Sequence, residues 1–166
     1  MLAILDRPGT APLAILIASA GALGSAFTAQ YLFGLEPCVL CIYQRWPFAI
    51  AIAIAAGALL LVRSGRSPRW LLALAGLVFI ANSAIAFYHV GVEQHWWQGT
   101  AECTGASGAT TLAEMKAQIL AAPLVRCDEV AWSLFGLSMA AYNTIASALL
   151  AAFALAVAGR RRRELP

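Results

Sequence analysis

Pro37-Cys38-Val39-Leu40-Cys41 leads straight into a long apolar run, Cys41–Val62, which stops at Arg63-Ser64-Gly65-Arg66-Ser67-Pro68-Arg69. Crossing a ~30 Å hydrocarbon core takes ~20 helical residues. The run therefore reads as a membrane span with a dithiol at one end and an arginine-rich stop at the other. Three more runs are of the same kind: Ala11–Phe33, Trp70–Val90 and Ser133–Ala158. They are too long and too continuously apolar for the alternating strands of a barrel, so helices are expected. Composition agrees. The chain is 61% hydrophobic and 11% charged, against about 25% charged in soluble domains. The expected fold is an all-α membrane protein, a four-transmembrane-helix bundle forming one domain over residues 1–166. The first run reads as a span and not as a cleaved signal, because no small-residue cleavage site leads from it into a soluble domain.

Charge sorting orients the bundle. Arg63, Arg66 and Arg69 lie between spans two and three, Arg160, Arg161, Arg162 and Arg163 follow span four, and Arg7 precedes span one. Basic residues flanking short connections mark the cytoplasmic side. Glu36, Glu93, Glu102, Glu114, Asp128 and Glu129 fall on the other side, with Lys116 and Arg126 as its clear cations. The net charge of +3 thus reports orientation and not a nucleic-acid partner. Both termini are expected in the cytoplasm, with loops 34–40 and 91–132 outside. All four cysteines, Cys38, Cys41, Cys103 and Cys127, then face an oxidising compartment, for which the bacterial periplasm is the natural candidate.

The loop 91–132 is too long to lack structure of its own. Thr111-Leu112-Ala113-Glu114 fits a capping box. Leu112, Met115 and Ile119 share one helical face, with Glu114, Lys116 and Gln118 off it. A short amphipathic helix is predicted there, ending near Ala121 ahead of Pro123. It either lies on the membrane surface or covers the bundle end. Trp96, Trp97 and Trp132 suit an interfacial aromatic belt or contact with a flat ligand. Gly99, Gly105 and Gly108 are expected to make the stretch around Cys103 mobile.

Four cysteines allow three pairings. One reading is a pair of structural disulfides in a non-catalytic scaffold or transporter subunit. A Cys-x-x-Cys bond, however, closes too small a loop to restrain the unfolded chain much. A four-cysteine metal site would need a second close pair, and Cys103 and Cys127 are far apart in sequence. Covalent haem attachment fails because Ile42 stands where histidine is required. Redox exchange suits the local chemistry. Pro37 fits the first helical position, which would put Cys38 and Cys41 in the first turn, where the helix dipole favours a thiolate.

Arg45 lies four residues beyond Cys41 on the same helical face. It is the one basic residue inside an apolar run away from the arginine-rich side, and an arginine at such a place is a functional candidate. It can stabilise a Cys41 thiolate or an anionic group beside it. His89, at the outer end of span three, is placed to give or take a proton nearby.

The segments Pro37 to Arg45, Tyr88-His89 and Cys127-Asp128-Glu129-Val130-Ala131-Trp132-Ser133-Leu134-Phe135-Gly136-Leu137-Ser138-Met139 resemble the DsbB family of bacterial inner-membrane disulfide bond formation proteins. The first segment is the more specific, and topology, cysteine order and loop lengths agree across almost the whole chain. The resemblance implies an enzyme that reoxidises a soluble periplasmic DsbA-like thioredoxin-fold oxidase and passes electrons to membrane quinone, either ubiquinone or menaquinone. It implies that Cys103 is attacked by the partner, that Cys127 exchanges with Cys38, and that Cys41 is left as the thiolate facing quinone. Arg45 and His89 would be cofactor-binding residues. Vitamin K epoxide reductase, a related bundle, would carry its Cys-x-x-Cys near the last span. Pro47 departs from the family pattern. Inside span two it removes a backbone hydrogen bond and is expected to bend the helix beside the quinone pocket.

The energetics point to the cofactor as the driving element. Ordinary structural disulfides lie below about −300 mV and DsbA near −120 mV, a gap of roughly 8 kcal/mol for two electrons. Stable disulfides alone could not oxidise such a partner to completion. Reduction of quinone is expected to draw the sequence forward.

Overall fold

A computed structural model describes residues 8–104, 110–121 and 125–160. Arg7 and Arg161–Arg163 of the charge argument, with Gly105, Gly108 and Pro123, lie outside the described residues. Among the described residues, four helices are long and apolar enough to cross a membrane: α1 (Thr10–Phe33), α2 (Val39–Arg63), α3 (Arg69–Glu93) and α6 (Met139–Gly159). At 1.5 Å per residue, the 21 residues of α6 already span about 30 Å. Smaller elements gather at one end: α4 (Ala101–Thr104), α5 (Leu112–Ala121), β1 (Ser133–Leu134) and β2 (Leu137–Ser138).

The helices pack with α3 between α2 and α6, and with α1 against α2. Alanines Ala51, Ala55, Ala75, Ala151 and Ala154 are buried where these helices meet. In lipid, helix association rests on close backbone approach, which small residues permit. Phe48 and Phe79, ring centroids 6.0 Å apart, fill the middle. Leu13, Ile17, Ile50, Leu77, Ile145 and Leu149 point outward and are exposed, as a surface solvated by acyl chains requires. At the arginine-rich end, Arg69 Nε donates to the Ala158 carbonyl (3.0 Å), tying the connection between α2 and α3 to the end of α6.

The fourth span begins later than expected. Residues 133–138 form an antiparallel hairpin, with Ser133 opposite Ser138 and Leu134 opposite Leu137. Phe135 and Gly136 make its turn with φ of 50° and 79°, the left-handed pair of a type I′ turn. Helix α6 starts only at Met139, where Ser138 Oγ accepts the Ala141 N–H (3.2 Å) as a cap. Trp132 consequently precedes the hairpin and does not open the span.

One other expectation is corrected locally. Pro37 is not the first helical residue. It precedes Cys38, which is the N-cap of α2. At Gly99 the chain packs closely against α4, since a Cβ there would lie 3.0 Å from Cys103 Cβ and 2.9 Å from Thr104 Cγ2.

The capping box at α5 forms as predicted. Glu114 N–H donates to Thr111 Oγ1 (3.2 Å), and Glu114 Oε2 accepts from the Thr111 N–H (3.1 Å). Leu112 and Met115 are exposed. The Ile119 and Gln118 side chains lie outside the described residues, so the amphipathic face is not established. Pro47 is buried within α2, which remains one helix across it.

Candidate functional site

The four cysteines meet at the end of the bundle opposite the arginine-rich connection. Cys38 has an extended backbone (φ −71°, ψ 171°), and its Sγ accepts the Cys41 N–H at 3.3 Å, so the sulfur itself caps α2. The two sulfurs are unbonded and 3.0 Å apart. The hydrogen bond with Cys41, aided by His89 and opposed by burial, holds the Cys38 thiol well below the ordinary thiol range.

Cys103 and Cys127 are joined by a disulfide. Helix α4 carries the first, and the Cys127 N–H donates to the Cys103 carbonyl (3.0 Å). Both are fully buried, in one apolar cluster with Cys38, Leu40 and Val92. Arg126 clamps this segment. Its Nε and Nη2 bond the two Asp128 oxygens at 2.9 and 2.5 Å, and its Nη1 reaches the Thr104 carbonyl at 3.3 Å.

His89 is buried beside the free pair. Its Nε2 lies 3.6 Å from Cys38 Sγ and its Nδ1 3.0 Å from Gln44 Nε2. One helical turn on, Glu93 Oε1 stands 3.8 Å from the same Nε2. Ser138 Oγ donates to the Glu93 carboxylate, so the cap of α6 is anchored to the end of α3. Gln44, Glu93 and Asn143 escaped the sequence reading. Their signal was present, since each is a polar side chain in an otherwise apolar helix, where burial must be compensated by a partner. Which partner each meets depends on packing between distant segments.

A cavity of about 1090 Å³ opens among α1, α2 and α6 and is lined by Cys41, Gln44, Arg45, Phe48, His89 and Trp132, among others. Arg45 does not reach its expected place through Cys41 alone. Its Nη1 donates to Gln30 Oε1 (2.7 Å), and its guanidinium sits 5.1 Å above the Phe27 ring. Helix α1 therefore holds Arg45 at the cavity wall. An apolar cleft with a few convergent polar groups is the usual form of a small-molecule site. The polar groups of this cavity include the Arg45 guanidinium, the Gln44 amide and the His89 ring. Trp132 lines it, while Trp96 and Trp97 pack with Phe87 outside.

The structure thus brings Cys41, Arg45 and His89 to one cavity, with Cys38 touching two of them. Cys103–Cys127 adjoins Cys38 but is not among the residues lining the cavity. Cys38, Cys41 and His89 are also of metal-ligating types, with donor atoms within 4.8 Å of one another. Two thiolates on tetrahedral zinc stand about 3.8 Å apart; the observed 3.0 Å is that of a hydrogen-bonded pair.

The family model for disulfide bond formation protein DsbB matches residues 8–157. Disulfide bond formation protein B of Aromatoleum aromaticum is 33% identical over 156 residues, covering 86% of this chain and 87% of its own. That of Albidiferax ferrireducens is 30% identical, covering 87% and 84%. That of Neisseria meningitidis serogroup A is 39% identical over about half of each chain. No solved structure matches.

Proposed function

The chain belongs to the DsbB family of disulfide bond formation proteins, and from that membership and its cysteine geometry we propose that it reoxidises a periplasmic DsbA-like thioredoxin-fold oxidase and passes the electrons to membrane quinone. On this reading the bundle sits in the bacterial inner membrane with both termini cytoplasmic and the cysteine end periplasmic.

Each exchange conserves electrons. A partner thiolate attacks Cys103 Sγ, forming a mixed disulfide and breaking Cys103–Cys127, so that Cys127 leaves as thiolate. Cys127 then attacks Cys38 of an oxidised Cys38–Cys41 pair, forming Cys38–Cys127 and releasing Cys41 as thiolate. The partner's second thiol displaces Cys103, so the partner departs oxidised. Cys103 attacks Cys127, restoring the buried disulfide and leaving Cys38 and Cys41 reduced.

Quinone, when bound, supplies the acceptor for two electrons and two protons that returns this pair to a disulfide. Cys41 would face it across the cavity. Arg45, oriented by Gln30 and Phe27, offers guanidinium donors to a carbonyl oxygen. His89 lines the same cavity and stands beside the Cys38 sulfur, placed to hydrogen-bond the charge that forms there. The apolar wall keeps water away from the reacting sulfurs.

One observation carries the reading. The buried disulfide and the free dithiol share a single apolar cluster, while Cys41, Arg45 and His89 line one cavity behind it. Purified protein supplied with quinone should oxidise a reduced thioredoxin-fold partner. Full activity after Cys41→Ser would overturn the mechanism.

A further inference from the structure

A chain of amides, buried at Asn82 and Gln44 and half-buried at Asn143, crosses the bundle and ends at the cysteine pair. Asn82 Nδ2 donates to Asn143 Oδ1 (3.3 Å), Asn143 Nδ2 to Gln44 Oε1 (2.5 Å), and Gln44 Nε2 to His89 Nδ1 (3.0 Å). The far ring nitrogen, Nε2, then faces Cys38 Sγ at 3.6 Å, with Glu93 Oε1 at 3.8 Å as the next acceptor. The links join α3 to α6, α6 to α2, and α2 back to α3. Interhelical bonds of this kind help hold helices together in lipid, but packing alone does not require them to run in one direction and end on a histidine.

The sense of the chain is set at α6. Ser147 Oγ donates to Asn143 Oδ1 (3.0 Å) and accepts from Asn82 Nδ2 (2.9 Å). Two donors converge on the Asn143 oxygen, and its amide nitrogen faces Gln44. That in turn presents the Gln44 nitrogen to His89. Asn82 Oδ1 is left buried without a partner, a cost that follows from turning its nitrogen into the chain. Hydrogen bonds aligned in one direction polarise one another in a low-dielectric interior.

We propose that Asn82, Asn143 and Gln44 are positioning residues whose amides fix His89 as its Nε2–H tautomer and aim that N–H at the Cys38 sulfur. A neutral imidazole whose Nδ1 accepts from an amide has its proton on Nε2. The Nε2–H then stabilises negative charge on Cys38, so the leading thiolate of the reduced pair is Cys38, with Cys41 as its hydrogen-bonded neighbour. The importance of this for turnover rests on the function proposed above, but the tautomer itself does not.

The test uses the full-length protein in lipid nanodiscs, with the cysteines of the Cys38–Cys41 pair reduced and the histidines labelled with ¹⁵N. His95→Gln assigns the two rings. The expected His89 spectrum has Nε2 protonated and Nδ1 bare; protonation at Nδ1 overturns the proposal, and this measurement needs no variant in the chain of amides. Gln44→Leu should mix the tautomers and slow alkylation of Cys38 at neutral pH about tenfold, the effect of losing one hydrogen bond to a charged group. Asn143→Asp, which has no amide donor to offer Gln44, should act in the same direction. An unchanged tautomer and an unchanged Cys38 rate in Gln44→Leu also overturn it. No partner or quinone is present in these measurements. Absence of thiol-oxidase turnover alongside a fixed Nε2–H tautomer would therefore count against the proposed function alone.

Discussion

His89 Nε2 lies 3.6 Å from Cys38 Sγ, although 51 positions separate the two residues. The contact joins the end of α3 to the cap of α2. It makes the reactivity of Cys38 a property of two helices and not of the Cys-x-x-Cys segment alone.

The pH dependence of Cys38 follows from that contact. Its hydrogen bonds, first with Cys41 and then with His89, lower the thiol's proton affinity in the fold. The folded state therefore binds fewer protons than the unfolded chain in the intervening window. This stabilisation of the reduced form is fully present above the unfolded thiol's ordinary pKa of ~8.5. It is lost progressively as pH falls through the lowered folded value. Alkylation of Cys38, followed by peptide mass, should stay fast at pH 6, where an ordinary thiol has slowed. His89→Ala should move the profile back toward that of an ordinary thiol.

Arg45 should matter to the cavity and not to the soluble partner. Arg45→Ala removes the bond to Gln30 and the contact with Phe27. The apparent KM for quinone should rise roughly tenfold, in keeping with one lost charge-assisted hydrogen bond, while the KM for a reduced thioredoxin-fold partner stays the same. Gln30→Leu should give a smaller rise in the same direction by loosening the guanidinium. Steady-state kinetics with each substrate varied in turn reads both effects.

The Arg126–Asp128 clamp should govern access to the buried disulfide. The hydrogen bond from Arg126 holds the Asp128 carboxyl below its ordinary range, with burial opposing. Its contribution is present above the unfolded carboxyl value of ~3.9 and fades as pH falls through the lowered one. Asp128→Asn should speed reduction of Cys103–Cys127 by an external reductant at neutral pH. The difference should shrink as pH falls through the lowered carboxyl value, read with a phosphine reductant because a dithiol needs its thiolate to react. Because the guanidinium is half exposed, the change in global stability should be slight. Disulfide reduction assayed by mass across that pH range decides it.

The hairpin turn offers a stability test. Gly136 holds a φ of 79°, where a Cβ is strained by about 1–2 kcal/mol. Gly136→Val should lower the thermal midpoint and delay the start of α6. Phe135→Asn should have the opposite effect, because asparagine tolerates the left-handed region that Phe135 occupies at φ 50°. Thermal unfolding in detergent, compared across the three proteins, measures both.

Much of this was legible in the sequence because lipid imposes simple rules. Length and continuity of apolar residues located the four helices to within a few residues at most ends. The same argument merged Ser133–Ser138 into the last span. That stretch is apolar enough to pass as helix, and only Phe135-Gly136 followed by a capping serine marks the turn. Register put Arg45 on the face of Cys41, but not its partners Gln30 and Phe27, and Cys103–Cys127 is one of three pairings the cysteine count left open. The join from Gln44 to Asn143, 99 positions apart, was not legible, because uncharged polar residues scattered over three helices carry no spacing that reveals which of them meet.

Cys38 has one last consequence as the cap of α2. A helix usually begins on an oxygen that chemistry leaves alone, whereas this one begins on a sulfur that changes oxidation state in every proposed cycle. When Cys38 enters a disulfide with Cys41 or Cys127, its sulfur loses the negative charge of the thiolate and becomes a weaker acceptor for the Cys41 N–H. The first turn of α2 would then tighten and fray in step with electron flow. The amide proton of Cys41 becomes a clock for the catalytic state, readable by hydrogen exchange without any label on the sulfur.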